Sequence, residues 1–306
     1  MHAYFGKPEF TQVLQAELVN PQCFLEQGLF LTPEKQNPAF WIDQWSDVQR
    51  VSFDSISQAA EILRKTGKSF GNLWFHHPIN HVRRGALIQE NFKKFPKFLP
   101  IKFPLEPLPA FGCFSLLDQH DLIFSIQPEN PIPTGEYLFQ EDKINPPNRA
   151  YLKLWEAFCT LGKKYPVPGE TCMDLGACPG GWTWVLQSFG AEVIAVDKAP
   201  LEPKIAELPG VSLLQQSAFA LDFKALPNNI QTIDWLVCDI ACYPDKLLIQ
   251  LKRWIESGKI KNIISTIKLQ GEIDLDLLQE FKNIPGIYLR QLWHNKHELT
   301  LFWSAN

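Results

Sequence analysis

"DLGACPGGWTW", residues 174–184, decides how the second half of this 306-residue chain is read. An apolar run, "TCMDL", precedes it, and a second, "EVIAVD", follows. That order predicts a strand, a glycine-rich turn, a helix and another strand. Gly176 stands where the chain leaves the first strand, and Pro179 stiffens the turn. Gly180 and Gly181 allow a backbone to approach a ligand closely. The helix that opens there presents unpaired N–H groups. By itself such a loop is also what an ordinary tight turn looks like.

Working outward, "YLKLWEAFCTLGKKY" predicts an amphipathic helix, "WTWVLQSFG" a helix closed by Gly190, and "TIDWLVCDI" a strand. "PDKLLIQLKRWIESGK" predicts a long amphipathic helix and "IKNIISTIKL" a strand. "GIYLRQLWHN" and "ELTLFWSA" predict two closing strands. Alternating strands and helices imply an α/β fold, a parallel Rossmann-like sheet with helices on both faces. Ligands of such sheets bind at the carboxyl ends of the strands.

The first half is less patterned. "EFTQVLQAEL" has helical spacing, "SISQAAEILRKTG" is a helix with a serine start and Gly67 as its stop, and "DLIFSIQ" is a strand. Prolines crowd residues 96–147, and "KINPPN" reads as a linker. The expectation is an α+β accessory domain over residues 1–147 and a second domain over residues 148–306.

Composition narrows the function classes. Net charge is −4, yet residues 64–103 hold nine Lys/Arg and one acid, Glu90, leaving −12 for the remainder. A local basic stretch in an acidic chain is either a polyanion footprint or a solvated face. The seven cysteines form no C-x-x-C, which suits reduced thiols, and no zinc or other metal site is expected. No signal-peptide core and no membrane-spanning apolar run is seen, so a soluble, cytoplasmic monomer is expected.

The glycine spacing is G-x-x-x-G-G, not the G-x-G-x-x-G that cradles a pyrophosphate, which argues against a nicotinamide-dependent oxidoreductase. Sixteen residues after Gly181, Asp197 ends the second strand, where an acid accepts hydrogen bonds from ribose hydroxyls. A nucleoside cofactor without a pyrophosphate, S-adenosylmethionine, fits that pattern.

"DLGACPGGW" resembles the cofactor loop of the FtsJ-like (RrmJ-type) ribose 2'-O-methyltransferases. The resemblance runs over roughly residues 146–306 and implies a class I methyltransferase sheet, S-adenosylmethionine as cofactor, and a Lys-Asp-Lys-Glu tetrad. "NRAYLKLWEAF" is similar to the segment with the first lysine, Lys153, and "WLVCDIACYP" gives Asp239. "IISTIKLQGE" gives Lys268, and "HNKHELTLFW" gives Glu298. Within the family, these segments most resemble the bacterial enzymes that methylate a cytidine of large-subunit rRNA. The cofactor-binding set implied is Gly176, Cys178, Pro179, Gly180, Gly181, Trp182, Asp197, Ser217 and Asp239, with Trp182 expected to pack behind the loop.

The chemistry needs such residues. A ribose 2'-hydroxyl is a poor nucleophile at neutral pH, so a base must take its proton as the new bond forms. A lysine serves if its pKa falls, through burial and a second cation. Lys268 is assigned as that base, Lys153 as the second cation, Asp239 as the group orienting the amine, and Glu298 as a holder of lysine or ribose. Taken singly, Lys268 could be a snorkelling lysine, Lys153 a surface lysine, Asp239 a turn cap and Glu298 an edge charge. Their joint occurrence with the loop lifts all four.

Two positions depart from the family. Ser217, in "QQSAF", stands where relatives carry an acid, and Ala150 stands where they often carry serine. A non-catalytic RNA-binding protein on the same fold, or a methyltransferase with another acceptor, therefore stays open as an alternative. The resemblance to the large-subunit rRNA enzymes within the family implies an N-terminal RNA-binding region related to THUMP domains. "YFGKPEFTQVLQAEL" faintly resembles part of it. The basic stretch, with Trp74, Phe75, Phe92, Phe95 and Phe98 interleaved, is its expected RNA contact, although most of these rings are expected in the core.

Overall fold

Short strands of two to seven residues form the sheets of the N-terminal half. The computed structural model describes residues 1–162, 164–221, 226 and 230–305. It divides into two units, Met1–Gln140 and Glu141–Asn306. The first contains β1 (His2–Phe5), α1 (Thr11–Glu17), β2 (Gln22–Phe24), β3 (Leu29–Thr32), β4 (Asp43–Ser46), β5 (Gln49–Ser52) and α2 (Ile56–Thr66). β6 (Trp74–His76), α3 (Val82–Gln89), β7 (Gly112–Asp118), β8 (Asp121–Ser125) and β9 (Gln127–Pro128) follow. They form a five-stranded sheet, β2-β3-β1-β4-β9, and a four-stranded sheet, β5-β8-β7-β6.

Alternation in β7 and β8 explains how the second sheet is held. Cys113, Leu117 and Ile123 pack in one cluster with Ala3, Phe5, Leu31 and Trp45 of the first sheet. Phe114, Leu116, Leu122 and Phe124 point the other way, into Ala59 and Leu63 of α2 and Ile88 of α3. Both faces are covered, so these strands read as continuous apolar runs and not as apolar–polar alternation. Ser55 starts α2 as expected, its hydroxyl accepting from the Gln58 N–H, and Gly67 ends it.

The second unit begins at Glu141, and the proline-rich turn at Pro146 and Pro147 lies inside it. Its helices are α4 (Tyr151–Thr160), α5 (Gly181–Ser188), α6 (Pro203–Ala206), α7 (Pro244–Glu256) and α8 (Leu275–Lys282). Its strands are β10 (Thr171–Leu175), β11 (Glu192–Asp197), β12 (Val211–Gln215), β13 (Ile233–Cys238), β14 (Ile260–Lys268), β15 (Tyr288–Arg290) and β16 (Glu298–Ser304). The seven-stranded order is β12-β11-β10-β13-β14-β16-β15. β10 to β14 are parallel, and β16 runs antiparallel between β14 and β15. From β10 the order proceeds in opposite directions through α5 and through α7, so right-handed crossovers place these helices on opposite faces. This is the Rossmann-like methyltransferase architecture.

One expectation needs correcting. α4 is not amphipathic but buried nearly all round, with Lys153 and Thr160 alone half-buried among its ten residues. Tyr151 and Trp155 pack on Trp184, while Phe158 packs on Phe189 and Trp235. Among the described residues no helix is long and apolar enough to cross a membrane.

Removing the α2 cap by Ser55→Ala should cost about 1 kcal/mol, because the Gln58 N–H loses its acceptor. A lower urea midpoint for the N-terminal unit, at unchanged slope, would report it.

Candidate active site

The strand order brings five chain ends to one edge. β10 ends at Leu175, β11 at Asp197, β13 at Cys238 and β14 at Lys268, while antiparallel β16 starts there at Glu298. The β14–β16 register sets Lys268 directly opposite Glu298. Asp239 follows β13 by one residue, and Lys153 reaches the same point from α4.

These four side chains form one ionic cluster. The Lys153 ammonium lies 2.6 Å from Asp239 Oδ2 and 3.1 Å from Glu298 Oε1. Lys268 Nζ donates to Asp239 Oδ1 at 2.5 Å and to Glu298 Oε2. Thr266 Oγ1 also donates to Asp239 Oδ1, at 2.6 Å. The side chains of Lys153, Asp239, Lys268 and Glu298 are 14%, 17%, 21% and 9% exposed, so each keeps a little access while most of its surface is buried. The four single-residue alternatives, such as a snorkelling lysine or an edge charge, do not describe this arrangement.

Electrostatics here follow neighbours more than burial. Burial pushes the Asp239 carboxyl up, but the charges and hydrogen bonds of Lys153 and Lys268 overcome it and hold the group below its usual value. Burial pushes the Lys268 ammonium down, yet Asp239 and Glu298 outweigh burial and hold it above the usual lysine value. The expected lowering of the lysine is thus reversed. Two carboxylates in hydrogen-bond contact act more strongly on Lys268 than the neighbouring cation does.

The glycine loop is shaped by the chain's own packing. Gly176 (φ +79°) and Gly180 (φ +115°) adopt backbone angles that favour glycine. A Cβ at Gly176 would lie 2.7 Å from Ile240, one at Gly180 2.7 Å from Ile205, and one at Gly181 2.3 Å from Asn148 Oδ1. Each glycine therefore has an internal reason to be there. The Cys178–Pro179 peptide is cis, and the Cys178 side chain is exposed. Asp197 Oδ2 accepts from the Cys178 N–H at 3.0 Å and Oδ1 from the Ala199 N–H at 2.9 Å, so this acid holds the loop. Trp182 is buried behind the loop as expected, donating its indole N–H to Ala150 O at 2.8 Å, with Lys153 5.9 Å from its ring centre. Ser217 follows the carboxyl end of β12, half-buried.

Two residues of the site escaped the sequence reading. Asp174, at the end of β10, is buried and accepts from Thr183 Oγ1 at 2.7 Å. Burial, reinforced by Asp239 and Asp197, pushes its pKa up to about 7. Glu156, on α4, is fully buried and bonded to the chain before β16. The signal for both was a carboxylate set in an apolar run.

In the N-terminal unit, Arg64, Lys65, Lys68, Arg83, Lys93, Lys94, Lys97 and Lys102 are exposed, while Arg84 lies over the Phe53 ring. Trp74 is wholly buried; Phe75, Phe92 and Phe95 pack on the two cores, and Phe98 lies against Phe75 and Phe95. As expected, these rings are mostly structural. Among the described residues no group of three or more His, Cys, Asp or Glu could hold a metal ion.

The family model for FtsJ-like methyltransferases matches residues 147–285; Glu298 lies beyond it. The ribosomal RNA large subunit methyltransferase M of Halorhodospira halophila is 33% identical over 165 residues, 52% of this chain and 47% of that protein. Its counterpart from Xanthomonas axonopodis pv. citri is 32% identical over 257 residues, 76% of this chain and 71% of that one. That from Stenotrophomonas maltophilia is 27% identical over 275 residues, 82% of this chain and 75% of that one. The match thus spans about half the length of the first of these relatives and about three quarters of the other two.

Because Asp174 binds its proton more tightly folded than unfolded, the second unit should lose stability as pH rises from about 4 to about 7, by up to roughly 4 kcal/mol. Asp174→Asn keeps an acceptor for Thr183 and should remove that dependence. Urea melts of both proteins at pH 5 and pH 8 measure the difference, and parallel curves would contradict it.

Proposed function

The chain belongs to the family of ribosomal RNA large subunit methyltransferase M, and from that premise we propose that it methylates a ribose 2'-hydroxyl of large-subunit (23S) rRNA, at a cytidine. The cofactor in this reading is S-adenosylmethionine, and Lys268 is the general base. The observation that carries the proposal is the meeting of Lys153, Asp239, Lys268 and Glu298 in one half-buried cluster at the carboxyl edge of the sheet.

The residues fit the cofactor. Gly176 and Gly180 turn the loop in conformations that favour glycine, and α5 starts beside the ends of β10 and β11. Gly176, Cys178, Pro179, Gly180 and Gly181 would line its site, with Asp197 toward the ribose, Ser217 toward the base and Asp239 toward the sulfur. Trp182 supports the loop from behind. When bound, S-adenosylmethionine supplies an electrophilic methyl on a sulfonium that departs as a neutral thioether.

The protein's part is alignment and proton removal. Lys268, once neutral, takes the hydroxyl proton as the 2'-oxygen gains the methyl group. Asp239 and Glu298 fix the direction of the amine, and Lys153 keeps both carboxylates occupied when Lys268 changes charge. Because its carboxylate neighbours raise Lys268, only a small fraction is neutral at pH 7. kcat/KM should therefore climb about tenfold per pH unit between roughly pH 6 and 9. Lys268→Ala should lower the rate by about 100-fold or more while leaving cofactor affinity in place. Tritium transfer from labelled cofactor to unmodified RNA measures both, and alkali-resistant label identifies 2'-O transfer. A flat pH profile, or cofactor binding with no label in any RNA, would overturn the proposal.

In the N-terminal unit, the exposed cations at 64–103 are the RNA contact in this reading, through phosphates more than through stacking. Triple charge reversal at Lys93, Lys94 and Lys97 should weaken RNA binding at low salt by about tenfold or more and flatten its salt dependence. Unchanged affinity would assign these lysines to solvent.

A further inference from the structure

Glu156 is a carboxylate with no solvent exposure on a helix of apolar residues. Burying such a group is costly unless it is fully hydrogen-bonded. Its bonds all run to one short segment. Trp293 N–H donates to Oε1 at 2.5 Å, His294 N–H donates to Oε2 at 2.8 Å, and His294 Nδ1 lies 2.7 Å from Oε2.

That segment joins β15 to β16 and carries the next link. Asn295 is buried, and its Oδ1 accepts from Leu292 N–H at 2.8 Å and from Thr300 Oγ1 at 3.0 Å. Its Nδ2 donates to Glu298 Oε1 at 3.4 Å. Lys153, one helical turn before Glu156 on the same helix, contacts Glu298 as well. Two side chains of α4, at i and i+3 on one helix face, therefore hold the segment before β16 and its first residue.

We propose that Glu156 is a positioning residue for the ionic cluster: it pins the 292–295 turn to α4, so that Glu298 stays against Lys153 and Lys268. This rests on reading the cluster as the methyl-transfer site. Glu156 itself touches none of the four clustered groups in the hydrogen bonds above. Its effect travels through the turn and Asn295.

Glu156→Gln tests it. An amide offers one oxygen where the carboxylate offers two, and its NH2 would face an N–H donor. The site is read through Lys268, faced by Asp239, Glu298 and the Cys242 thiol, which burial raises. Protein labelled with 13C at lysine Cε gives the Lys268 titration directly, assigned by the signal lost in Lys268→Arg. With Glu298 released, the Lys268 midpoint should fall by about half a pH unit or more. Methyl transfer to RNA should drop about tenfold in kcat, with the cofactor dissociation constant within about twofold of wild type. A smaller midpoint shift in a folded variant overturns the proposal. If Glu156→Gln does not fold, Glu156→Asp, which keeps the charge but withdraws it by one methylene, is held to the same criterion. Loss of the fold in both would make Glu156 a folding residue and overturn it too. Should wild type methylate no RNA, the functional reading fails, while the midpoint still decides the role of Glu156.

Discussion

The pairing of β14 with β16 is the constraint on which the rest of the site depends. An all-parallel sheet would bring the beginning of its last strand to the edge opposite the one that carries Lys268. By inserting β16 antiparallel, the fold turns that beginning round and sets Glu298 across from Lys268. The adjacent β13 then supplies Asp239, and α4 supplies Lys153, giving two cations and two anions in contact. A partly buried group of this kind is stable when complete and unfavourable when one member is missing. The register of two strands thus decides whether four distant residues form a site or four separate liabilities.

The same edge shows that burial alone does not set the behaviour of an acid. Asp174, near the end of β10, and Asp239, just after β13, are both largely shielded from water. At Asp174 burial prevails: the Thr183 hydrogen bond, which favours the carboxylate, is too little to offset it, and Asp239 and Asp197 add to it, so the proton is held more tightly. Asp239 meets two ammonium groups and is held ionised. Desolvation pushes both in one direction, and only at Asp239 do the neighbours overturn it.

Much of the second unit was legible in the sequence, for a physical reason. Parallel strands covered on both faces must be apolar throughout, and the helices between them end in recognisable glycines such as Gly190. The tetrad was legible from the family resemblance, position by position. The insertion of β16 between β14 and β15 was not, because strand order leaves no periodic trace. β12 and α8 were also not foreseen. The sign of the Lys268 shift was hidden too, since it depends on distances to two carboxylates. Glu156 carried a signal: in "YLKLWEAFC" a lone carboxylate stands among residues of which all but Lys153 are buried. In the first unit, strands of three or four residues were too brief for pattern to speak.

The place of Glu298 along the chain has a consequence for synthesis. Lys153 and Glu298 are 145 positions apart, with Asp239 and Lys268 between them in the chain. Polypeptides emerge from the ribosome amino end first. While Glu298 is still inside the exit tunnel, β10 to β14 can assemble, but the cluster lacks its second carboxylate. Of the four clustered side chains Glu298 is made last, so a nascent chain carries the parallel strands before it carries the group that closes the cluster.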